Sequence, residues 1–459
     1  MHSLEMLDPL DGRYADKPTV AKVRNIFSEK GLQSYRTRVE AEYLIRLSEH
    51  PQTDLREFSP EECERLMSLA ELSLDDSRRI KELEAVSDHD VKAVETFMRE
   101  RLKKTSLADV TSWLHFGLTS EDVNNTSYAL MVGDALEKAI IPAAHNVLKE
   151  TESFAVRYAD LPMLARTHGQ PASPTTVGKE FNVFARRMES ELKQLEETRL
   201  SVKLNGATGG YDAHVAAYPN VDWMGFTRNF VDELGTGKKI KFVPNYVTTQ
   251  IEPHDNLAGV FDNVARLNRV GINYAQDMWR YISDHWVGLK SKEGETGSST
   301  MPHKVNPIRF ERAEGAFTAS NWILKGLSEK LQISRLQRDL SDSVTMRFAG
   351  PALGATGLGW DSMLEGLGKI TINEPKILAE LDAHPEVVTE ALQTILRREG
   401  RDDAYDLLKG MSRGKEITAV DIHNFIEGLD ISKEAKAKMH AITPRNYTGL
   451  AAKLAKYQC

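Results

Sequence analysis

Two cysteines in 459 residues, Cys63 and Cys459, leave no disulfide framework, and neither stands at the spacing of a metal-ligand set. No apolar run reaches membrane-spanning length, and the opening residues Met1-His2-Ser3-Leu4-Glu5-Met6 lack the basic stretch and apolar run of a secretion signal. These absences fit a cytoplasmic protein in a reducing compartment. An excess of one charge is also missing: 59 basic against 67 acidic residues give a net charge of −8, which argues against general affinity for nucleic acid or acidic membranes. Strand-like alternation is scarce apart from Lys241-Phe242-Val243-Pro244, so the expected class is all-α. The run Asn205-Gly206-Ala207-Thr208-Gly209-Gly210 lacks both the lysine of a nucleoside triphosphate loop and the spacing of a dinucleotide fingerprint, which excludes both ligands.

What is present is helical periodicity over a length that calls for two or three domains. Helical pattern runs from Val20 to about His50 and from Ser59 to about Arg101, where Ser59-Pro60-Glu61-Glu62 carries a cap, a first-turn proline and a glutamate at the third position. Thr119 with Asp122 makes a second capping box, opening a helix that aims Tyr128, Met131, Leu136 and Ile140 at a core. From Asp255 to about Gly288 apolar residues recur through roughly nine turns. Pro307 starts another helix, with Phe310, Ala313, Phe317 and Leu324 on its apolar side. Helices this long bury their stripes only side by side, so a bundle with leftover apolar faces, prone to self-association, is expected. The glycines from Gly350 to Gly359 are expected to loosen the helix that carries them, and the region after Thr371 shows ordinary helical patterning without legible chemistry.

Chemistry concentrates in the loops. Gly297-Ser298-Ser299-Thr300-Met301-Pro302-His303-Lys304-Val305-Asn306-Pro307 combines paired serines, a lysine and an asparagine able to surround a small anion, in a segment with the content of a lid. Arg166-Thr167-His168-Gly169-Gln170-Pro171-Ala172-Ser173-Pro174 reads as a rigid turn carrying a histidine and followed by a helix. Ser87-Asp88-His89-Asp90-Val91 sets a histidine between acids. The exposed helix start at Thr119 suits an anion. Three arginines and several hydroxyls between Arg335 and Arg347 form a candidate phosphate or carboxylate grip. Taken singly, each has a plainer reading as a cap, a turn or a solvated charge run.

Taken together they carry a resemblance. The 297–307 segment resembles the signature loop of the fumarase/aspartase superfamily, roughly Gly-Ser-Ser-x-Met-Pro-x-Lys-x-Asn-Pro, and Arg166 to Pro171 and His115 to Asp122 resemble its other two blocks in the expected order. Within that superfamily, Asp11-Gly12-Arg13-Tyr14, His89 to Glu95, Thr248-Thr249-Gln250-Ile251-Glu252 and Arg338-Asp339-Leu340-Ser341-Asp342-Ser343 are similar to the adenylosuccinate lyase family of bacterial type. One departure is Asp88, where bacterial relatives often carry a neutral polar residue.

The resemblance implies cleavage of fumarate from adenylosuccinate, giving AMP, and from the succinylaminoimidazole carboxamide ribotide of purine synthesis. Such an elimination needs a base, an acid and a clamp for growing negative charge. By resemblance Ser298 is the base and His168 the acid. Lys304 and Asn306 then suit the succinyl carboxylates, with Thr119, Ser120 and Gln250 completing that clamp. Arg13, Tyr14, Arg338, Ser343 and Arg347 would hold the nucleotide phosphate, and His89 with Asp90 would orient ligand or acid. His115 would touch the phosphate or support His168. No metal or organic cofactor is implied. The implied architecture has an N-terminal helical domain (1–111), a central long-helix bundle with the signature loop (112–370) and a C-terminal helical domain (371–459). It forms a homotetramer whose active sites are each shared among three subunits. Lyases of the superfamily acting on argininosuccinate, aspartate or malate would share the loop but give the arginines no phosphate to hold. An inert structural relative would have no need of Ser298, His168 and Lys304 together.

Overall fold

The computed structural model describes residues 6–290, 301, 304–412 and 417–458. In chain order its elements are α1 (Pro18–Phe27), α2 (Glu29–Ser48), α3 (Pro60–Ser68), α4 (Leu74–Ser87), α5 (Asp90–Leu102), α6 (Ser120–Ala135), α7 (Ile141–Arg157), β1 (Pro162–Thr167), β2 (Gln170–Thr176), α8 (Val177–Glu196), β3 (Arg199–Val202), α9 (Asp212–Ala217), α10 (Trp223–Leu234), β4 (Lys241–Pro244), α11 (Asp255–Ser283), β5 (Val287–Leu289), α12 (Ile308–Leu331), α13 (Ser341–Met346), α14 (Ala349–Leu367) and β6 (Ile370–Ile372). Short helices follow to Leu454. No described helix is long and apolar enough to cross a membrane.

The helix starts follow local chemistry. Ser59 begins α3 with a complete capping box to Glu62 and proline in the first turn, and Ser28 accepts from the Gly31 amide at the start of α2. Asp88 closes α4 in the left-handed conformation, φ 50°, a helix-end position that Asp tolerates better than most residues. The segment Leu136–Ile140, expected as plain helix, is a π-helical turn between α6 and α7.

Two compact units divide the chain: residues 1–145, 191–272 and 312–362 form the first, and 146–190, 273–311 and 363–459 the second. In the first, Asn268 of α11 donates to Thr356 of α14 at 2.9 Å and to Asn321 of α12 at 3.1 Å, while Ser320 donates to the Ala352 carbonyl at 2.8 Å. These buried bonds tie three helices in one register, because a slipped helix would leave them unmade in a dry interior. The glycines of α14 do not loosen it: the helix runs unbroken through all of them. A Cβ at Gly350 would lie 2.6 Å from Phe27, one at Gly354 2.8 Å from Leu10, and one at Gly359 2.3 Å from Phe317. Glycine serves there as room for neighbouring side chains.

In the second unit Tyr274 of α11 stacks on Phe184 of α8 at 4.5 Å and meets Thr151 of α7 at 3.2 Å. A separate apolar cluster of Leu381, Val388, Leu392, Leu396, Ile426 and Met439 holds the C-terminal helices together with Leu164 of β1. Among the described residues the strands form three pairs, β1 with β2 and β5 with β6 antiparallel and β3 with β4 parallel. Only β4 carries the alternation that sequence reading picks up.

Candidate active site

In the first unit two helix starts lie side by side. His89 caps α5, its Nδ1 accepting from the Lys92 amide at 3.2 Å. With Nδ1 accepting, the imidazole proton belongs on Nε2, which meets Ser120 Oγ at the start of α6 at 3.3 Å. Asp90, the next residue, accepts from Arg36 of α2 at 2.7 Å and from Arg347 at 3.1 Å. Burial raises the pKa of Asp90, but the two guanidiniums and the Val91 amide outweigh it and hold the carboxyl below its usual range. Arg347 also donates to Ser343 through both its carbonyl and its Oγ at 2.9 Å. His89, Asp90, Ser120, Ser343 and Arg347 are thus brought together.

Arg338 joins them through the α6 start. Its Nη1 donates to Glu121, the residue after Ser120, at 2.6 Å, and only 5% of the Glu121 side chain is exposed. Burial pushes the Glu121 pKa up to about 7; the Arg338 charge pulls against that rise and the Asp342 carboxylate adds to it. Glu121, His254 and Asp342, all buried, place one ligating atom each within 4.8 Å of one another. The positive charge beside these carboxylates is the Arg338 guanidinium. Gln250 is anchored next to it, donating its amide to the Gln337 carbonyl at 3.2 Å and its side chain to the Ala207 carbonyl at 2.9 Å.

Thr119 is held by its backbone: its amide donates to Asp122 at 2.8 Å, the reciprocal half of the expected capping box. The other Asp122 oxygen accepts from Lys203 Nζ at 2.6 Å and from the Asn205 and Gly206 amides at 3.0 and 3.3 Å. Lys203 and Asp122 are both fully buried. The glycine-rich run therefore has a structural purpose, fastening its loop to the α6 start. His115, in the left-handed conformation with φ 63°, binds Glu40 of α2 through its ring at 2.5 Å. Burial works against its charged form, yet the Glu40 hydrogen bond and charge raise its pKa. Arg13 stacks over Tyr14 at 5.8 Å, and Arg312 approaches the same ring at 5.8 Å. Among the described residues no hydrogen bond or ion pair links Arg13 or Tyr14 to Arg338 or Arg347.

In the second unit His168 does not occupy a proline-fixed turn but the tip of the β1–β2 hairpin, a two-residue connection between paired Thr167 and Gln170. His168 and Gly169 have φ of 53° and 76°, the two positive values of a type I′ turn. The imidazole is exposed. Beside the hairpin a cavity of about 410 Å³ is lined by Arg166, Gly169, Glu180, Asp277, Tyr281 and Trp286 among others. Glu380 fixes its rim, accepting from Arg166 at 2.5 Å and from Trp286 at 2.7 Å. Asn306 lines a small cleft with Lys290, Arg309 and Lys369, and the Lys304 amide donates to the Met301 carbonyl at 3.1 Å. Ser298 lies outside the described residues.

Sequence reading missed Arg36, Glu40, Glu121, Lys203 and His254. A faint signal existed for two of them: Arg36 and Glu40 stand four apart on α2, on a face that also buries Gln33 and Thr37. Charged residues at core spacing announce buried pairing.

Residues 13–319 match the lyase family, and residues 334–448 match the adenylosuccinate lyase C-terminal family. The chain is 44% identical over 454 residues to the adenylosuccinate lyase of Escherichia coli (strain K12), covering 98% of each. It is 42% identical over 457 residues to that of Haemophilus influenzae (strain ATCC 51907 / DSM 11121 / KW20 / Rd), covering 99% of this chain and 98% of the other. It is 42% identical over 466 residues to that of Dictyostelium discoideum, covering 98% and 97%. Its fold is similar to the crystal structure of 3-carboxy-cis,cis-muconate lactonizing enzyme from Pseudomonas putida, with a TM-score of 0.72, 18% identity and 94% of each chain covered.

Proposed function

Since the chain belongs to the adenylosuccinate lyase family of the fumarase/aspartase superfamily, we propose that it is a carbon-nitrogen lyase of purine biosynthesis. It eliminates fumarate from adenylosuccinate, leaving AMP, and from the succinylated aminoimidazole carboxamide ribotide. The observation that carries the phosphate side of this reading is the gathering of Arg338, Ser343 and Arg347 around the starts of α5 and α6. Two guanidiniums and a hydroxyl suit a phosphorylated, dicarboxylated substrate.

In the reaction Ser298 takes the proton from the carbon next to a succinyl carboxylate. That electron pair becomes the new C=C bond, the C–N pair stays with nitrogen, and His168 Nε2–H or Nδ1–H supplies the proton nitrogen needs. Serine is a weak base, so water must leave and Lys304 must stabilise the alkoxide when substrate is in place. Lys304, Asn306, Thr119, Ser120 and Gln250 hold the succinyl carboxylates. Arg13, Tyr14, Arg338, Ser343 and Arg347 take the phosphate, and the Nε2–H of His89, oriented beside Asp90, offers a donor to substrate. The discriminating experiment offers adenylosuccinate and argininosuccinate separately and measures fumarate. Release from adenylosuccinate alone is expected; release from argininosuccinate alone overturns the substrate assignment.

The active unit is a homotetramer with each site built from three chains. Supporting this is a row of exposed apolar side chains flanking the arginines: Ile333, Leu336, Leu340, Val344 and Phe348 are each more than half exposed. Burying a Leu, Ile, Val or Phe side chain is worth roughly 1.5–3 kcal/mol, so five in one segment are a strong drive to associate. Diluting the protein until light scattering reports monomers should therefore abolish turnover, and an active monomer would sink the shared-site reading.

A further inference from the structure

The geometry points to Arg36 as a positioning residue for substrate binding: it sets the spacing between the starts of α5 and α6, and through them the placement of His89, Asp90 and Ser120. The inference rests on the functional reading above, since it concerns how that site is kept in register.

Arg36 stands in the middle of α2 with 1% of its side chain exposed. Its Nη2 donates to Asp90 at 2.7 Å, in the first turn of α5, and its Nε to Asn124 at 2.9 Å, one turn beyond Ser120 in α6. One rigid planar fork thus spans both helices. The helix starts it joins are those whose side chains meet as His89 Nε2 and Ser120 Oγ at 3.3 Å. The charged groups facing Asp90 are Arg36 from α2, Arg347 from the end of α13, and the His89 ring, with Nδ1 3.9 Å from Asp90 Oδ1.

A purely structural role explains this poorly. The third nitrogen, Nη1, is buried and has no hydrogen-bond partner among the described residues. A buried donor left unmatched is unfavourable, and buried ion pairs are often no more stabilising than apolar residues of the same volume. An apolar side chain would fill the space between α2, α5 and α6, but it would not fix a carboxylate and an amide oxygen at set positions. Arg347 alone holds Asp90 from an exposed side chain, whereas Arg36 holds it from the core.

The test compares Arg36→Lys and Arg36→Met with the parent enzyme, full length and assembled. Lysine keeps the charge but its single ammonium cannot serve Asp90 and Asn124 with the same fork; methionine keeps volume alone. In both, KM for adenylosuccinate should rise about 10- to 100-fold, the loss of one charge-assisted hydrogen bond, with kcat changed less than about threefold. Combining Arg36→Lys with His89→Ala should cost less than the sum of the two single changes, because part of the Arg36 effect runs through the placement of His89. A second readout needs no substrate: modification of His89 by diethyl pyrocarbonate, followed by peptide mass spectrometry, should speed up in the Arg36 variants. Should neither variant fold, Asn124→Ala removes the α6 anchor together with the Asn124 hydrogen bond to Glu121, and His89 labelling, which does not involve Glu121, should still move in the same direction. Unchanged KM and labelling in folded variants, or an additive double variant, overturns the inference. A parent chain that fails to release fumarate from adenylosuccinate sinks the functional reading instead, and the labelling comparison still decides whether Arg36 positions His89.

Discussion

Replacing His168 by alanine or asparagine is expected to lower turnover of adenylosuccinate by roughly 10²- to 10⁴-fold, the usual loss when a general acid is removed. Hairpin stability is expected to stay level or rise. His168 is the first residue of a two-residue turn with φ 53°, where glycine and asparagine are the favoured types. A left-handed residue other than glycine carries strain of roughly 1 kcal/mol or more. Nothing in the local packing repays that strain, since the imidazole is exposed. Asparagine at 168 thus separates fold from chemistry, and thermal melting beside turnover reads both. Ser298→Ala should show a fall of the same order in turnover, with binding of the product AMP retained. Near-normal turnover in either variant removes that residue from proton transfer.

Lys203→Met is expected to cost about 3–5 kcal/mol of stability, the range seen when one partner of a buried ion pair is removed. Lys203 and Asp122 are both fully buried, 2.6 Å apart. Deleting the ammonium leaves the carboxylate with three backbone amides, those of Thr119, Asn205 and Gly206, and no counter-charge. Lys203 Nζ also donates to the Gly206 carbonyl at 2.8 Å, and without it that acceptor keeps only the Gly209 amide at 3.4 Å. The double variant Lys203→Met with Asp122→Asn removes the unpaired charge while keeping an oxygen for the amides, and should recover part of the loss. Urea unfolding of the three proteins measures both effects. A Lys203→Met protein within about 1 kcal/mol of the parent would show that the pair does not anchor the α6 start.

The sequence carried most of the helices and little of their fastening. Long periodic stretches such as α11 and α12 announce themselves, and the Ser59 box was legible because cap, proline and glutamate are local. The β1–β2 hairpin was not, because its prolines Pro171 and Pro174 argue against a strand and the pair lies where such residues are tolerated, in a short two-stranded sheet. The site residues came from motif resemblance, and the structure gathers five of them at two helix starts. The partners of the residues that hold them, Arg36, Glu121 and Lys203, were illegible for a different reason. Each works across 54 to 217 positions of chain, from Arg36 to Asp90 or from Glu121 to Arg338, and no local pattern encodes such a pairing. The Ser120–His89 contact is likewise invisible until both helices are placed.

The glycines of α14 have a consequence for the order of folding. Five of them, Gly350, Gly354, Gly357, Gly359 and Gly366, lie in a helix of 19 residues. At roughly 1 kcal/mol each relative to alanine, they leave the isolated segment far too weak to hold a helix in water. It becomes helical only when the Phe27 and Phe317 side chains are already there to fill the glycine faces. On this account α14 is expected to form late, and its amide protons should begin to resist exchange only after α1 and α12 are in place; protection of α14 before either would refute that order.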